Sequence, residues 1–385
     1  MDIKYIYITE KSKKLCEKIS SFFEGEIISY SQFKNHSKKI FNNADFLIFI
    51  MATGIVVRSI SELLESKFTD PGVIVIDELG KNTISLLGGH IGGANELTLK
   101  ISKVINSNPV ITTATDINNK GSFDIIVKKI NGYVDNFGEL SLEINSGLLK
   151  GISYKLFIQN EYKSFFIEEN GKYSNALNGF DVEFISKEKI ETIILYIDKS
   201  VEFVDRKCIF ITDIDLNNIK NNNAYFNMGK NLSINIDLKI DKCFNTGLKL
   251  CEKNIIIVIP KLNVLGIGCK RYTKARDFEN NVIEYLVENN INISSIKSIS
   301  SIDLKKDEKC ILEFAKKYNI ETHFYTKEEI SNVDSLYEKS NFVKDSIGVY
   351  SVAEPSCHIS TDGNVISQKL KKNGITISIG RKLKL

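Results

Sequence analysis

The 385-residue sequence has almost no excess of charge of either sign. Lys and Arg total 51 against 48 Asp and Glu, a formal net charge of +3. A general nucleic-acid binder would carry a basic excess or stripe, so that class is excluded. No apolar run approaches the roughly 20 residues that cross a bilayer as a helix, and the chain reads as soluble and cytoplasmic, without a membrane partner. Its opening, MDIKYIYITEKSKK, reads as a strand and a lysine-rich helix start, not as a secretion signal. The seven cysteines (Cys16, Cys208, Cys243, Cys251, Cys269, Cys310, Cys357) include no C-x-x-C pair. Neither a zinc site nor a disulfide framework is therefore expected. The four histidines, His36, His90, His323 and His358, are equally scattered, so no protein-held metal is expected. Also missing are G-x-G-x-x-G and the Gly-Lys-Ser/Thr of a P-loop, which disfavours nucleotide binding.

What is present is globular. With 26% charged and 43% hydrophobic residues the chain can bury sizeable cores. Its length suggests two or three domains at roughly 150 residues each. Up to about residue 133, short apolar runs (Ile6–Ile8, Phe46–Ile50, Val73–Ile76, Val110–Thr113) alternate with helical periods such as Val56, Ile60, Leu63 and Leu64. That alternation predicts an α/β domain with a doubly wound, mostly parallel sheet, with a hairpin turn at Glu78–Asn82. Residues 134–255 contain no proline and read as a small β-rich middle domain or connector, with β-type runs at Ser164–Glu168, Thr192–Ile197 and Cys208–Thr212. Residues 256–385 form a separate C-terminal α/β domain. Thr326 and Glu329 make a capping box there, and Val365–Leu370, Asn373-Gly374 and Ile375–Ile379 predict a terminal β-hairpin.

Three loops carry the chemistry. The first is Leu86-Leu87-Gly88-Gly89-His90-Ile91-Gly92-Gly93-Ala94-Asn95-Glu96. Its glycines let backbone amides approach a ligand, and the following helix N-terminus favours an anion or a developing oxyanion. His90 within it can move a proton near neutral pH, with burial and the helix dipole expected to keep the imidazole neutral. The second loop, at Thr53, Gly54 and Arg58, follows the Phe46–Ile50 strand, where open α/β sheets bind ligands. Arg58 there is either a carboxylate grip or an exposed helix arginine. The third, Gly266-Ile267-Gly268-Cys269-Lys270-Arg271-Tyr272-Thr273-Lys274, crowds cations at a helix start. The helix dipole opposes them, a conflict that a bound anion would relieve. Glu354, before Pro355, is either a catalytic carboxylate or a plain helix-start acid. Cys357 and His358 are adjacent, so their side chains diverge.

Together these stretches resemble one family. ATGIVVR (52–58), DPGVIVIDELGK (70–81) and LLGGHIGGANEL (86–97) look like the N-terminal signature of cobalt-precorrin-5A hydrolases (CbiG). GIGCKRYT (266–273), IDLKKDE (302–308) and VAEP (352–355) are similar to the family's C-terminal domain, in the same order. The resemblance covers about 1–130 and 260–385 and departs at Cys357-His358, where small apolar residues are commoner. It implies a hydrolase acting on carbon–carbon bonds in anaerobic cobalamin biosynthesis. Such an enzyme opens the δ-lactone of a ring-contracted cobalt corrinoid with water and releases acetaldehyde, giving cobalt-precorrin-5B. No cofactor is implied, because the substrate macrocycle carries the cobalt. The partners would be the corrinoid, water and, transiently, pathway methyltransferases. On this footing the catalytic candidates are His90 and Glu354. The substrate-binding candidates are Thr53, Gly54, Arg58, Gly88, Gly89, Gly92, Gly93, Asn95, Gly268, Lys270, Arg271, Lys274, Lys305 and Glu308. The alternative is a non-catalytic corrinoid carrier or scaffold, which would need the anion sites but no proton-transfer group.

Overall fold

A computed structural model describes residues 1–168, 171–196, 207–215 and 255–383. Cys243, Cys251 and Ile197 lie outside the described residues. The chain forms two compact units, Met1–Ile125 with Ser141–Gly151, and Ile126–Leu140 with Ile152–Leu385. Among the described residues no helix is long and apolar enough to cross a membrane.

The first unit is built on strands β1 (Ile3–Tyr7), β2 (Glu26–Ser29), β3 (Phe46–Ile50), β4 (Gly72–Ile76), β5 (Asn82–Leu87) and β6 (Asn108–Val110). They lie in the order β2-β1-β3-β4-β5-β6. Side chains alternate across the sheet as strand geometry requires. Phe46, Ile48 and Ile50 face one core with Cys16, Ile19, Leu97 and Ile101, while Leu47 and Phe49 face another with Phe33, Phe41, Val56 and Ile60. Both faces are therefore covered by helices, as the sequence predicts for a doubly wound sheet. All pairings are parallel except β4 with β5, which the turn after Asp77 makes antiparallel. Asp77 forms that turn by accepting the amides of Leu79, Lys81 and Asn82. This reversal decides where the functional loop falls.

The second unit holds two five-stranded sheets. One joins β7 (Gly132–Tyr133), β8 (Tyr154–Gln159), β9 (Phe180–Ile185), β10 (Cys208–Ile211) and β11 (Ile255–Pro260). The other joins β12 (Asn263–Cys269), β13 (Ile296–Ile302), β14 (Glu321–Tyr325), β15 (Leu370–Lys372) and β16 (Ile375–Arg381). The run beginning at Ile255 pairs with β10 and β7, so it belongs to the middle sheet. Two expected strands are corrected. The run from Thr192 ends a helix, Lys187–Tyr196, in which Ile190, Ile193 and Ile194 share one face against the middle core. An apolar run that short fits either period, and here the helical one wins. Most of Ser164–Glu168 is a 3-10 segment, Asn160–Phe166. The terminal hairpin forms with Asn373 and Gly374 both at positive φ (52° and 77°), the tight-turn conformation expected of Asn-Gly. Its first strand is shorter than expected, and Val365 makes only a single bridge to Gly380. Thr326 and Glu329 cap each other as predicted.

A buried ion pair ties the two sheets of this unit together. Arg381 donates to Asp213 Oδ2 at 2.6 Å and to Asn263 Oδ1 at 3.0 Å, and Asn263 donates back to Asp213 at 2.8 Å. Burial opposes the Asp213 carboxylate, but Arg381 and Lys187 hold its pKa below the ordinary value. Removing one partner of such a pair typically costs about 3–5 kcal/mol, because the other charge stays buried.

Candidate functional site

Leu87, the last residue of β5, lies opposite Val73 near the start of β4. The Gly88–Gly93 loop therefore leaves the sheet at the amino end of β4 and at the carboxyl end of β5 and its parallel neighbour β6. Thr53, Gly54 and Arg58 follow β3 at the opposite end, since Ile50 pairs with Ile76. The structure does not bring these two predicted loops together. Arg58 is exposed, and its guanidinium folds back toward Gly54 along its own helix.

The glycine loop doubles back tightly on itself. A Cβ on Gly92 would stand 2.6 Å from the Gly88 carbonyl oxygen, and Gly88 holds φ +66° against Gly72. Only glycine fits either position. The amides of Gly93, Ala94 and Asn95 donate to the carbonyls of His90, Gly88 and Gly89 at 3.0, 3.1 and 3.0 Å. That corrects the expected oxyanion role of Gly93, whose amide, with those of Ala94 and Asn95, is spent on closing the loop.

What the closed loop presents is His90, its side chain only 12% exposed. Nε2 lies 2.8 Å from Asp116 Oδ2 and 2.9 Å from Thr115 Oγ1. Nδ1 lies 3.3 Å from Ser122 Oγ and 3.8 Å from Asp124 Oδ1. Ser122 in turn donates to Asp124. Asn95, buried in the first turn of the helix Ala94–Ile105, donates to Asp116 Oδ2 at 2.7 Å and to Thr113 Oγ1 at 2.9 Å. Its part here is to fix the carboxylate that faces His90. Burial opposes the imidazolium, yet the Asp116 hydrogen bond and the Asp124 and Asp116 charges outweigh it and raise the His90 pKa above 6.5. The expectation that burial and the helix dipole lower the pKa is thus reversed in direction, because two carboxylates flank the ring. The hydrogen bond from His90 likewise holds the Asp116 carboxyl below its ordinary value.

His90 opens onto a cavity of about 430 Å3 within the first unit. Gly88, Gly89, Thr113, Thr115 and Asp124 line it together with one face of the helix Phe137–Leu149, namely Ser141, Leu142, Asn145, Ser146 and Leu149. Asn145 accepts the Phe123 amide at 2.8 Å, fixing that helix to the Ser122–Asp124 segment. Lys67 also lines the cavity, from a loop whose Glu65 and Ser66 amides are held by Asp70. Sequence reasoning missed Asp116, Thr115, Ser122, Asp124, Lys67 and Ser141. An available signal was Thr113-Ala114-Thr115-Asp116, an acid just past the carboxyl end of an apolar strand.

In the second unit the protein itself partners part of the predicted cationic turn. Arg271 donates to Asp307 at 2.6 Å and to the Leu304 carbonyl at 2.7 Å. Lys305 and Glu308, both buried, lie 3.5 Å apart, and Glu308 also accepts the Tyr272 amide at 3.0 Å. Carboxylates of the chain thus partner Arg271 and Lys305. Lys270 and Lys274 are exposed and have no ion-pair partner among the described residues. Gly268 lies inside β12 opposite Thr376. The neighbouring Gly266 is sterically required, since a Cβ there would stand 1.9 Å from the Ala353 carbonyl oxygen. Glu354, in the first turn of the helix Ala353–Ser360, accepts from the largely buried Lys369 at 2.5 Å. It is an ion-pair partner, not a free carboxylate. Cys357 and His358 diverge as expected, the thiol toward the Val264 carbonyl and the imidazole toward the Tyr337 hydroxyl.

Comparison with known proteins points in one direction. Residues 35–116 match the family model described as Cobalamin synthesis G N-terminal, and residues 263–380 match Cobalamin synthesis G C-terminus. The chain is 30% identical over 341 residues to the cobalt-precorrin-5A hydrolase of Priestia megaterium, covering 88% of this chain and 79% of that one. To the cobalt-precorrin-5A hydrolase of Salmonella typhimurium it is 28% identical over 357 residues, covering 93% and 88%. Among solved structures it is similar to a cobalamin biosynthesis protein G homolog from Sulfolobus solfataricus, at 21% identity, 99% and 97% coverage and a TM-score of 0.38.

Proposed function

The chain belongs to the cobalt-precorrin-5A hydrolase family of cobalamin biosynthesis, and from that premise we propose that His90 carries the proton transfers of the reaction. The substrate is a cobalt corrinoid, and the cobalt travels with it. Water adds to the lactone carbonyl, its protons passing to solvent as the new carboxylate forms, and the ring oxygen leaves as an alkoxide that must take a proton. An imidazole whose pKa is raised by two flanking carboxylates is suited to carry that proton. Thr115 Oγ1, 2.9 Å from Nε2 and on the cavity wall, is the contact through which the proton passes. The neutral imidazole left behind then accepts the proton of the new hydroxyl. The carbon–carbon bond to the macrocycle breaks, its electron pair goes to the electron-withdrawing metal-bound ring, and acetaldehyde departs.

The observation that supports this reading best is the flanked His90 on the wall of a cavity. At about 430 Å3 the cavity lies at the small end of those that enclose a drug-sized ligand. It suits the lactone-bearing edge of the macrocycle, not the whole of it. Purified protein mixed with cobalt-precorrin-5A is expected to release acetaldehyde well above the spontaneous rate. Release at the spontaneous rate, with the corrinoid bound, would instead establish a carrier.

A further inference from the structure

We propose that the same cavity contains a carboxylate-reading subsite, in which Lys67 supplies the charge and Ser141 a hydrogen bond. This rests on the reading of the cavity as the corrinoid site. The argument begins with charge. Asp124 lines the cavity, Asp116 stands beside it, and both carboxylates face the imidazole. Lys67 is the one fixed cation among the described residues that line the cavity. No carboxylate of the described residues lies within ion-pair distance of its ammonium, which sits 4.9 Å over the Phe68 ring. Its loop is nevertheless tied down, since Asp70 captures the Glu65 and Ser66 amides at 3.1 Å each and the Ser66 carbonyl accepts the Thr69 and Asp70 amides. Lys67 is exposed, and an ammonium without a carboxylate partner among the described residues, on the wall of a cavity, is complementary to an anion.

A second observation comes from another residue of the lining. Ser141 is fully buried and lines the cavity, and its hydroxyl has no hydrogen-bond partner. A buried hydroxyl without a partner typically costs about 1–3 kcal/mol, a penalty that a ligand oxygen would remove. The ligand class that satisfies both groups carries a carboxylate on a short flexible arm, as acetate and propionate substituents do. Such an arm anchored at Lys67 would orient the macrocycle edge toward His90.

The test uses two probes, cobyrinic acid, with its acetate and propionate side chains free, and the same corrinoid fully amidated. Each is titrated against the full-length protein, Lys67→Met, Lys67→Arg and Ser141→Ala. A hydrogen bond to a charged group is worth roughly 10- to 100-fold in affinity. The parent should bind the acid tighter than the amide by about that factor at low salt, and Lys67→Met should abolish the preference. Lys67→Arg should keep most of it, and Ser141→Ala should weaken the acid by roughly 3- to 10-fold while leaving the amide alone. An undiminished acid preference in Lys67→Met, or none in the parent, overturns the subsite. An acid affinity unchanged in Ser141→Ala removes the hydroxyl from it. Acetaldehyde release by the parent is scored separately. A preference lost in Lys67→Met without turnover in the parent would sink the catalytic reading and leave the subsite standing.

Discussion

The turn at Gly88–Gly93 and the turn at Gly266–Lys274 both follow a strand, both carry glycine, and both open a helix beside charged or titratable side chains. By those criteria the second is the stronger anion site, with three cations (Lys270, Arg271, Lys274) where the first has one histidine. The structure inverts that ranking. Arg271 and Lys305 spend their charge on Asp307 and Glu308, whereas His90 draws its carboxylates from segments more than 20 residues away and still borders a cavity. The difference teaches that local charge at a helix start predicts a ligand only when the chain fails to supply the counter-ion. At Arg271 an Asp-Glu pair 36 and 37 residues downstream supplies it.

The largest effect that can break this comparison is at His90. His90→Ala removes the proton carrier and is expected to lower kcat/KM for acetaldehyde release by about 100- to 10,000-fold, the usual worth of acid–base assistance. Corrinoid binding, read by titration, should stay near that of the parent. Turnover close to the parent's would dismiss the cavity as the site of chemistry.

The next effect sharpens the comparison by isolating the carboxylates. Asp116 is the largest influence raising the His90 pKa, against burial, which lowers it. In Asp116→Asn the pKa falls, so the protonated acid is lost at lower pH. The alkaline limb of the kcat profile should move to lower pH, with a loss of roughly 10-fold on its alkaline side. Linkage has the same sign. Because the folded pKa is raised, protonated His90 stabilises the fold fully below its ordinary 6.5, and that contribution fades as pH rises through the raised value. Thermal melts of the parent should show this alkaline loss, and Asp116→Asn should show less of it. An unmoved kcat limb would mean that Asp116 holds the ring without setting its acidity.

Much of this architecture is legible in the sequence, for reasons that particular residues make plain. Phe46–Ile50 and Val73–Ile76 are unbroken apolar runs because both sheet faces are covered, and Asn373-Gly374 announces its turn because both positions need positive φ. The Lys187–Tyr196 helix is opaque, since its apolar residues are too few to separate two periods. The site is legible at its glycines and at His90, where the chemistry is local. It is illegible at Asp124 and Ser141, which reach His90 or its cavity only through tertiary folding, and at Asp116 only the strand-end position is there to be read. The direction of the His90 pKa is hidden for the same reason. Neither a glycine loop nor a helix dipole reveals two carboxylates that arrive from residues 116 and 124.

The smallest expected effect is at Arg271, and it tests the other half of the comparison. The guanidinium is 46% exposed, donates to Asp307, itself 68% exposed, and reaches Glu308 only at 3.8 Å. Solvent screens a pair of this kind, so its worth to the fold is slight. Glu308 keeps Lys305 beside it when Arg271 is removed. Arg271→Ala should therefore shift the melting temperature little and leave acetaldehyde release and its salt dependence as in the parent. Lys270→Ala with Lys274→Ala makes the sharper control, because those two ammonium groups have no ion-pair partner among the described residues. If that double change weakens corrinoid affinity and flattens its salt slope while Arg271→Ala does neither, the turn holds an anion through its unpaired lysines alone. If Arg271→Ala itself weakens affinity, the guanidinium exchanges Asp307 for a substrate carboxylate on binding, and the contrast between the two turns collapses.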